Sequence, residues 1–265
     1  MNQPGELTTG RELILNAAES VLQIGVTVNE EPLCFEEWKL KQRGAEILAE
    51  LLAELCRKLG FKSASFRRIA CVSGPGSFTG IRLVLATAAA IRRVSGCQLA
   101  GIDYLRALAT SAAIWRGLLY PGKIFILTHA RRNQVHFCEF LSLGPVIPAA
   151  PLGNIELISP EEAIARIGDT PCLVAGSGIG RNPDVFSVPE TGRGPSGAPN
   201  AVLMPELVNP VFQALCLLAR HGDYFPRDLE PNYVRQCDAV EHLAANPEAS
   251  EKLAQVLAST PDSIK

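Results

Sequence analysis

The sequence lacks a charge excess of either sign, because 25 lysines and arginines accompany 27 aspartates and glutamates and the net charge is −2. This balance argues against a dedicated nucleic-acid-binding protein, which usually carries a clustered basic excess. The sequence also lacks an apolar run long enough to cross a bilayer. Its polar start, MNQPGELTTG, does not resemble a signal peptide. We therefore expect a cytoplasmic protein without a membrane contact.

Common catalytic and metal-binding patterns are also missing. The eight cysteines include no CxxC pair, and Cys71, Cys138 and Cys216 lie in apolar runs, where a free thiol behaves as a small hydrophobe. Reduced thiols are the expectation for such a protein. There is no GxSxG elbow, and His129 and His136 have no nearby carboxylate ligand, which makes a poor zinc site. The sequence predicts no catalytic residue and no metal ligand.

What the sequence does contain is an alternation of strand and helix patterns that occurs twice, which predicts an α/β chain of two related halves. The first half reads as an antiparallel meander over 12–38, followed by a helix at 43–60, a strand at 68–74, a helix at 79–94, a strand at 98–102 and a helix capped by Asp103. The second half reads as a hairpin around ARRNQ, a helix that Ser159 caps, a strand PCLVA that enters a Gly-Ser-Gly turn, and a helix over 209–222 with an Asn cap and a Gly stop.

These patterns also predict the domain limits. We expect a flexible start at 1–11, a first half at 12–110, a second half at 111–236 and a tail at 237–265. A Gly/Pro-rich loop without periodicity, at 190–201 within the second half, is expected to be mobile.

Two predicted helices have more apolar surface than one protein face requires. The helix around 45–59 has an apolar arc of roughly 240°, whereas a surface helix typically has an arc of about 100° or a little more. The helix at 81–91 is apolar on all sides apart from Arg82 and Thr87. Such helices must be covered either by the chain's own core or by a partner, and the periodicity leaves both alternatives open.

A glycine-rich loop, GPGSFTG, precedes the second of these helices. It has no lysine of the Walker type, Thr79 occupies the third glycine position of GxGxxG, and Pro75 removes an amide donor. Two interpretations remain. The loop is either a tight turn in which Ser77 or Thr79 caps the helix, or an anion or nucleotide site formed by Gly74, Gly76, Ser77, Thr79 and Gly80.

The segment VSGPGSFTGIRLVLATAAAIRRVSGCQLAGIDYLRALA (72–109) closely resembles the signature segment of the bacterial TsaB (YeaZ) family. Members of that family show a GPGSFTG-[VI]-R loop, an alanine-rich helix and an hGVSxLxxLA stretch, which correspond here to Gly74–Arg82, Thr87–Ile91 and Gly101–Ala109. Weaker similarity extends from about residue 12 to 236. It includes LILNAAESVLQIGV, the helix at 43–59, LTHARRNQVHF through Ala130, Arg131 and Val135, and EPNYVR through Pro231, Tyr233 and Arg235.

This resemblance implies an actin/Hsp70-like (RNase H-like) fold in which each half is a mixed sheet with flanking helices. It implies a non-catalytic subunit of the complex that makes threonylcarbamoyladenosine in tRNA, with a TsaD-like transferase and a TsaE-like ATPase as partners and tRNA reached only through the complex. The two apolar helices would then form the interface with the transferase, or with a second copy in a homodimer. The residues expected there are Ile47, Leu48, Leu51, Leu55, Arg82, Leu83, Thr87 and Ala90.

Four residues depart from the family pattern. Asn16 stands where the family usually has an early Asp, Ala17 replaces a Thr, Arg43 replaces a His, and His129 replaces the Asp of D-A-R. Loss of the early carboxylate weakens any Mg-nucleotide site. No cofactor of the chain's own is therefore expected, and ATP or ADP with Mg²⁺ would sit at the partner interface.

Two other functions remain as alternatives. The chain could be a nucleotide-binding ATPase or transferase of the same superfamily that acts on its own, although Asn16 argues against this. The glycoprotease-like label of the superfamily has no support, because the helix histidines on which it rests are absent.

Overall fold

The computed structural model describes residues 10–39, 44–188 and 194–234. The chain divides into a compact unit at Met1–Asn232 and a second unit at Tyr233–Lys265, of which only Tyr233 and Val234 are described. The tail predicted at 237–265 and Arg43 therefore lie outside the described residues. In the described ranges no helix is long and apolar enough to cross a membrane.

The first sheet contains five strands in the order β3-β2-β1-β4-β5. The predicted antiparallel meander is formed by β1 (Arg11–Asn16), β2 (Val21–Val28) and β3 (Glu31–Lys39). On the other side of β1 lies β4 (Phe66–Gly74), and β5 (Gln98–Asp103) lies beside β4. Both run parallel to β1. The helix α1 (Gly44–Leu59) and a 3₁₀ turn at Ser63–Ser65 precede β4. The helix α2 (Phe78–Ser95) connects β4 to β5, and α3 (Tyr104–Arg116) follows β5.

The second sheet has the order β11-β10-β6-β7-β8, and a further short strand pairs with β7. The predicted hairpin is formed by β6 (Gly122–Arg131) and β7 (Gln134–Ser142), and the short strands are β8 (Ala150–Pro151) and β9 (Glu156–Ile158). Parallel to β6 lie β10 (Cys172–Ala175) and β11 (Ala201–Met204). The helices are α4 (Pro160–Ile167), α5 (Ser177–Arg181) and α6 (Phe212–Arg220).

The two sheets repeat one topology. In each sheet the first strand is central, an antiparallel second strand lies on one side, and two parallel strands lie on the other. Helices follow at corresponding places. The helices α1 and α4 precede the first of the two parallel strands, β4 and β10. The helices α2 and α5 precede the last strands, β5 and β11, and α3 and α6 come after them. The predicted α/β architecture of two related halves, each a mixed sheet with flanking helices, is confirmed.

The strands β1 and β2 are buried on both faces, which explains their nearly continuous apolar sequences, whereas the edge strand β3 is mostly exposed. Because side chains alternate along a strand, Leu13 and Leu15 of β1 pack in a cluster with α1 and α2, whereas Ile14 packs with α3 on the other face. The α3 cluster also contains Ile124 and Phe140 of the second sheet. Since α3 is shared in this way, the predicted boundary between residues 110 and 111 falls inside a helix that belongs to both halves.

The chain returns to the first half after β11. Phe212, the first residue of α6, stacks on Phe35 of β3 with ring centroids 4.6 Å apart. A Cβ atom at Gly25 of β2 would lie 2.2 Å from the Phe212 ring, so only glycine leaves room for this contact. Further along, Leu99 of β5 exchanges backbone hydrogen bonds with Phe225. Part of the segment assigned to the second half therefore packs on the first sheet.

The start of α6 differs from the sequence prediction. The helix predicted at 209–222 begins only at Phe212, and Val211 precedes it without a side-chain cap. The reason is tertiary: Pro210 O accepts a hydrogen bond from Gln23 Nε2, and the Val211 amide donates to Ser111 Oγ. These contacts hold the chain extended where Asn209 was expected to cap the helix.

The predicted mobile loop at 190–201 and the predicted flexible start at 1–11 both contain ordered residues. Ala198 is fully buried, Asn200 donates a hydrogen bond to Asp169 O, and Ala201 begins β11. Mobility of the loop therefore stays a prediction, although residues 198–201 make these contacts, and 190–193 lie outside the described residues. At the other end of the chain, Arg11 already belongs to β1. The Gly-Ser-Gly turn predicted after PCLVA forms the short helix α5.

Candidate functional site

The glycine loop packs tightly against the turn between β1 and β2. A Cβ atom at Gly80 would lie 1.9 Å from Ala17 O, and one at Gly76 would lie 2.3 Å from Ala18 O. Gly74 has a φ of +125°, and a Cβ there would lie 2.6 Å from Asn232 O. The glycines are required because the backbone of neighbouring segments occupies the space that a side chain would need.

Three amides in the loop and in the first turn of α2 are also used within the chain. The Ser77 amide donates to Ala18 O at 2.6 Å, the Gly80 amide donates to Ser77 Oγ at 3.2 Å, and the Ile81 amide donates to Ser77 O at 2.9 Å. Ser77 is thus the N-cap of α2, as one of the two interpretations predicts. A phosphate bound through these three amides would have to displace these bonds.

Asn16 has both ends of its side chain engaged. Its Oδ1 accepts from the Ala18 amide at 2.9 Å, and its Nδ2 donates to Gln23 Oε1 at 2.7 Å. Gln23 in turn donates to Glu37 Oε1 and to Pro210 O. Asn16 is fully buried and carries no charge. The position at which the family has its early carboxylate therefore serves a structural hydrogen-bond network here and does not suit a Mg²⁺ ion.

The second half contains a corresponding turn after β10. Gly176 has a φ of +110°, and a Cβ there would lie 2.3 Å from Leu127 O of β6, much as the first glycine loop approaches the end of β1. Ser177 follows, accepts a hydrogen bond from the His129 amide at 2.9 Å and donates to Glu19 at 2.6 Å. Glu19 lies between β1 and β2, so this bond joins the two halves. The local sequence does not predict this hydrogen bond, although the GSG that follows an apolar strand is similar to the GPGS of the first half.

The titratable groups around this bond have shifted pKa values. Burial raises the pKa of the Glu19 carboxyl, and the hydrogen bond from Ser177 and the charge of Arg181 partly offset this effect. Burial and the charge of Arg181 lower the pKa of His129. The neutral form of His129 is therefore favoured over the cation, at the position where the family pattern has the Asp of D-A-R.

The structure brings no metal site together in the ranges it describes. Within residues 10–39, 44–188 and 194–234, no group of three or more His, Cys, Asp or Glu side chains is placed to hold a metal ion. His136 is buried, and its Nδ1 lies 3.3 Å from Thr128 Oγ1. The two hairpin histidines thus have separate structural environments.

The eight predicted interface residues separate into two groups. Leu48 and Leu55 of α1 are buried in the core that α1 and α2 share with the first sheet. The chain's own core covers these two side chains. Six others have some exposure, namely Ile47, Leu51, Arg82, Leu83, Thr87 and Ala90.

The exposed side of α2 is an apolar strip. Leu83 and Thr87 are half-buried and Ala86 and Ala90 are exposed, and Val94 at the end of the strip is 78% exposed. Thr87 Oγ1 donates to Leu83 O at 2.9 Å, so its methyl group remains for a contact. Next to the strip, the guanidinium of Arg82 lies 3.7 Å from the centre of the Phe78 ring. The α2 helix contacts α1, and α1 carries Ile47 and Leu51, the two other predicted interface residues with some exposure.

Comparisons with known proteins match parts of the sequence and most of the fold. A family model described as TsaD, tRNA N6-adenosine threonylcarbamoyltransferase, matches residues 40–155. A Rhizobium etli protein named tRNA N6-adenosine threonylcarbamoyltransferase is 31% identical over 83 residues, which are 31% of this chain and 23% of that protein. An uncharacterized Mycobacterium leprae protein is 30% identical over 95 residues, 36% of this chain and 24% of that protein. The alignments thus span about a quarter of each curated relative.

Solved structures show the fold. YeaZ from Pseudomonas aeruginosa superimposes with a TM-score of 0.68 and 18% identity, over 85% of this chain and 100% of that chain. Another Pseudomonas aeruginosa structure, an uncharacterized protein with similarity to peptidase YeaZ, gives a TM-score of 0.69 at 18% identity over the same shares. The resemblance to the TsaB (YeaZ) family is confirmed: the chain has the YeaZ fold, and its middle segment matches the TsaD family model.

Proposed function

We propose that the chain is a non-catalytic subunit that binds a TsaD-like threonylcarbamoyl transferase through α1 and α2 and supports threonylcarbamoylation of adenosine in tRNA. The observation that carries the proposal is the apolar strip on α2. The fold leaves this strip uncovered although the same helix buries Ile81, Val84, Leu85, Ala88 and Ile91 in the core. An apolar helix face of this kind lowers the free energy of the molecule when a partner covers it.

The composition of the strip suits a helix as the partner. Ala86 and Ala90 lie one turn apart on α2, with Leu83 and Thr87 beside them, and small side chains let a second helix approach closely. The match to the TsaD family model over residues 40–155 includes α1 and α2, which supports a related helix pair as the partner. We propose that Arg82 supplies a polar contact at the start of the strip.

The contacts of the glycine loop and of Asn16 support a role without chemistry of its own. The glycine loop is filled by the backbone of Ala17 and Ala18, and Asn16 has no carboxylate. We propose that any ATP or ADP with Mg²⁺ in the assembly, and a TsaE-like ATPase if one joins it, binds at the interface with the transferase. The tRNA would then contact the transferase and not this chain.

The test is light scattering after size-exclusion chromatography of the chain, the TsaD-like protein of the same organism, and their mixture, each with and without Mg-ATP. We expect a complex with equal numbers of the two chains. Thr87→Glu places a charge in the strip and should weaken the complex by at least about a hundredfold. Leu119→Glu, on the second half, is the matched control and should bind normally. Circular dichroism should show both variants folded.

A chain that ignores the transferase, or a Thr87→Glu variant that binds normally, would contradict the proposal. The alternative, a nucleotide-binding enzyme that acts alone, requires ATP turnover by the purified chain, and we expect none above background.

A further inference from the structure

Basic side chains are concentrated at one end of the first half. Residues 57–68, RKLGFKSASFRR, contain five lysines and arginines and no aspartate or glutamate. This segment comprises the last turn of α1, the 3₁₀ turn and the start of β4. Because the charges of the whole chain nearly balance, a run of this kind gives one part of the surface a positive potential.

The topology brings three more arginines to the same end. The strands β1 and β4 are parallel, so Arg11 at the start of β1 lies beside the start of β4. Its guanidinium lies 4.1 Å from the centre of the Phe61 ring. The helix α2 connects β4 to the parallel strand β5 and therefore returns to this end, where its last turn carries Arg92 and Arg93. We call residues 57–68, Arg11 and this last turn the basic end.

Carboxylates of the chain neutralise part of the basic end. Its cations with a carboxylate oxygen at 2.7 to 3.9 Å are Arg57, Lys58, Arg68, Arg92 and Arg93. Among the residues that the structure describes, Arg11, Lys62 and Arg67 have no ion pair, and Lys62 and Arg67 are exposed. The ladder between β1 and β4 pairs Arg11 with Phe66 and Glu12 with Arg68, so Arg67 is the extra residue of a β-bulge at the end of the sheet.

We infer that the basic end binds carboxylates of the transferase whose helices cover the α1 and α2 strip. The inference rests on the proposed function, since it concerns the same partner. The strip ends at Val94, which is 78% exposed and directly follows Arg93, so the basic end continues the strip at its edge. An apolar centre with a charged rim is the usual arrangement of a protein interface, and complementary rim charges raise the rate of association.

The cations of the basic end would also attract the phosphates of a nucleic acid, but two observations favour carboxylates. A nucleic-acid-binding protein typically makes about 6–10 phosphate contacts, whereas three cations of the basic end lack an ion pair within the described ranges. The adjoining strip is apolar, and a phosphate backbone would leave it uncovered. A protein with aspartate or glutamate beside its own apolar helices covers both surfaces.

The test is the association rate of the chain with the TsaD-like protein of the same organism, followed by stopped-flow fluorescence of the labelled transferase. Salt is varied from about 0.01 M to about 1 M, over which the Debye length falls from about 30 Å to about 3 Å. Lys62→Glu combined with Arg67→Glu should lower the association rate constant at least about tenfold at the lowest salt, and the difference should vanish at the highest. The dissociation rate constant should change less than about twofold, because rim charges act mainly on association.

Two further variants sharpen the comparison. Lys62→Gln combined with Arg67→Gln removes the charges without reversing them and should give an intermediate rate. The matched control, Arg116→Glu combined with Arg132→Glu, makes the same change in net charge at exposed positions outside the basic end. Its association rate constant should stay within about threefold of the wild-type value at the lowest salt. Circular dichroism should show every variant folded, because all four side chains are exposed.

Three outcomes would overturn the inference and leave the proposed function intact. The first is a complex that the wild type and the variant with glutamate at positions 62 and 67 form at the same rate. The second is equal slowing by the control, which would assign the effect to net charge alone. The third is a complex that forms at the wild-type rate but loses tRNA in a filter-binding assay, since the basic end would then bind phosphates. A wild-type chain that forms no complex would refute the proposed function, and this inference with it.

Discussion

Gly80 and Gly176, near the two strand-to-helix turns, lie where the backbone of their own half leaves no room for a Cβ atom. Gly80 faces Ala17 O and Gly176 faces Leu127 O. In both cases the opposing atom belongs to the backbone, which cannot rotate away as a side chain would. Packing therefore accounts for the glycine at position 80 of the motif GPGSFTG.

The substitution Gly80→Ala should be strongly destabilising. Its Cβ would lie 1.9 Å from Ala17 O, and relief of that overlap requires a backbone shift that we expect to cost about 3 kcal/mol. Gly180→Ala is the control, since a Cβ there meets nothing within 4 Å, and it should not destabilise the protein, because alanine has the higher helix propensity. Urea unfolding of both variants measures the difference, and equal stabilities would refute the packing explanation.

Three thiols should make the chain less stable at alkaline pH. Burial, with smaller effects of nearby carboxylates, raises the pKa of Cys138 to about 12, of Cys172 to about 11 and of Cys216 to about 12, from an ordinary value of 9.0. A folded pKa above the unfolded one gives stability that is complete below pH 9.0 and is lost as the pH rises toward 12.

The measurement compares urea unfolding at pH 7.5 and at a pH about one to two units above 9, where unfolded thiols ionise. The wild type should lose stability, and a variant with alanine at the three positions should lose less. An equal loss in both proteins would assign the alkaline sensitivity to other groups.

Among the elements, those defined by local patterns were the most predictable from sequence. The β6–β7 hairpin, the caps of Ser77, Asp103 and Ser159, and the alternation that places helices on both faces of the first sheet all follow from nearby residues. The start of α6 did not follow, because contacts of Pro210 and Val211 with distant residues override the local Asn-Pro signal. The strand β11 was not predicted, and its sequence AVLM follows directly on the Gly/Pro-rich loop.

The candidate docking helices show the same division. Helical periodicity identified α1 and α2 as too apolar for one buried face, which is a local property. It could not separate Leu48 and Leu55, which are buried, from Leu51, which is half-exposed, because that difference depends on where β4 and α2 lie. Nor did it connect Glu19 with Ser177, which are 158 residues apart.

The bond between the β1–β2 turn and α5 yields a prediction at the scale of elements. Ser177→Ala removes the acceptor of the His129 amide and the donor to Glu19, and we expect a loss of about 1–3 kcal/mol because two part-buried bonds are lost at once. Ser65→Ala is the control, since its hydroxyl makes one exposed bond to Lys62 O. Urea unfolding that shows the same small effect for both variants would mean that the bond contributes little.

The return of α6 to the first sheet has a consequence for the order in which the protein forms on the ribosome. Residues 11–103 build the first sheet, yet the ring that stacks on Phe35 and covers Gly25 belongs to Phe212, which is synthesised more than a hundred residues later. A nascent first half thus emerges with one sheet face incomplete. Its final packing waits until the second half has passed through the exit tunnel.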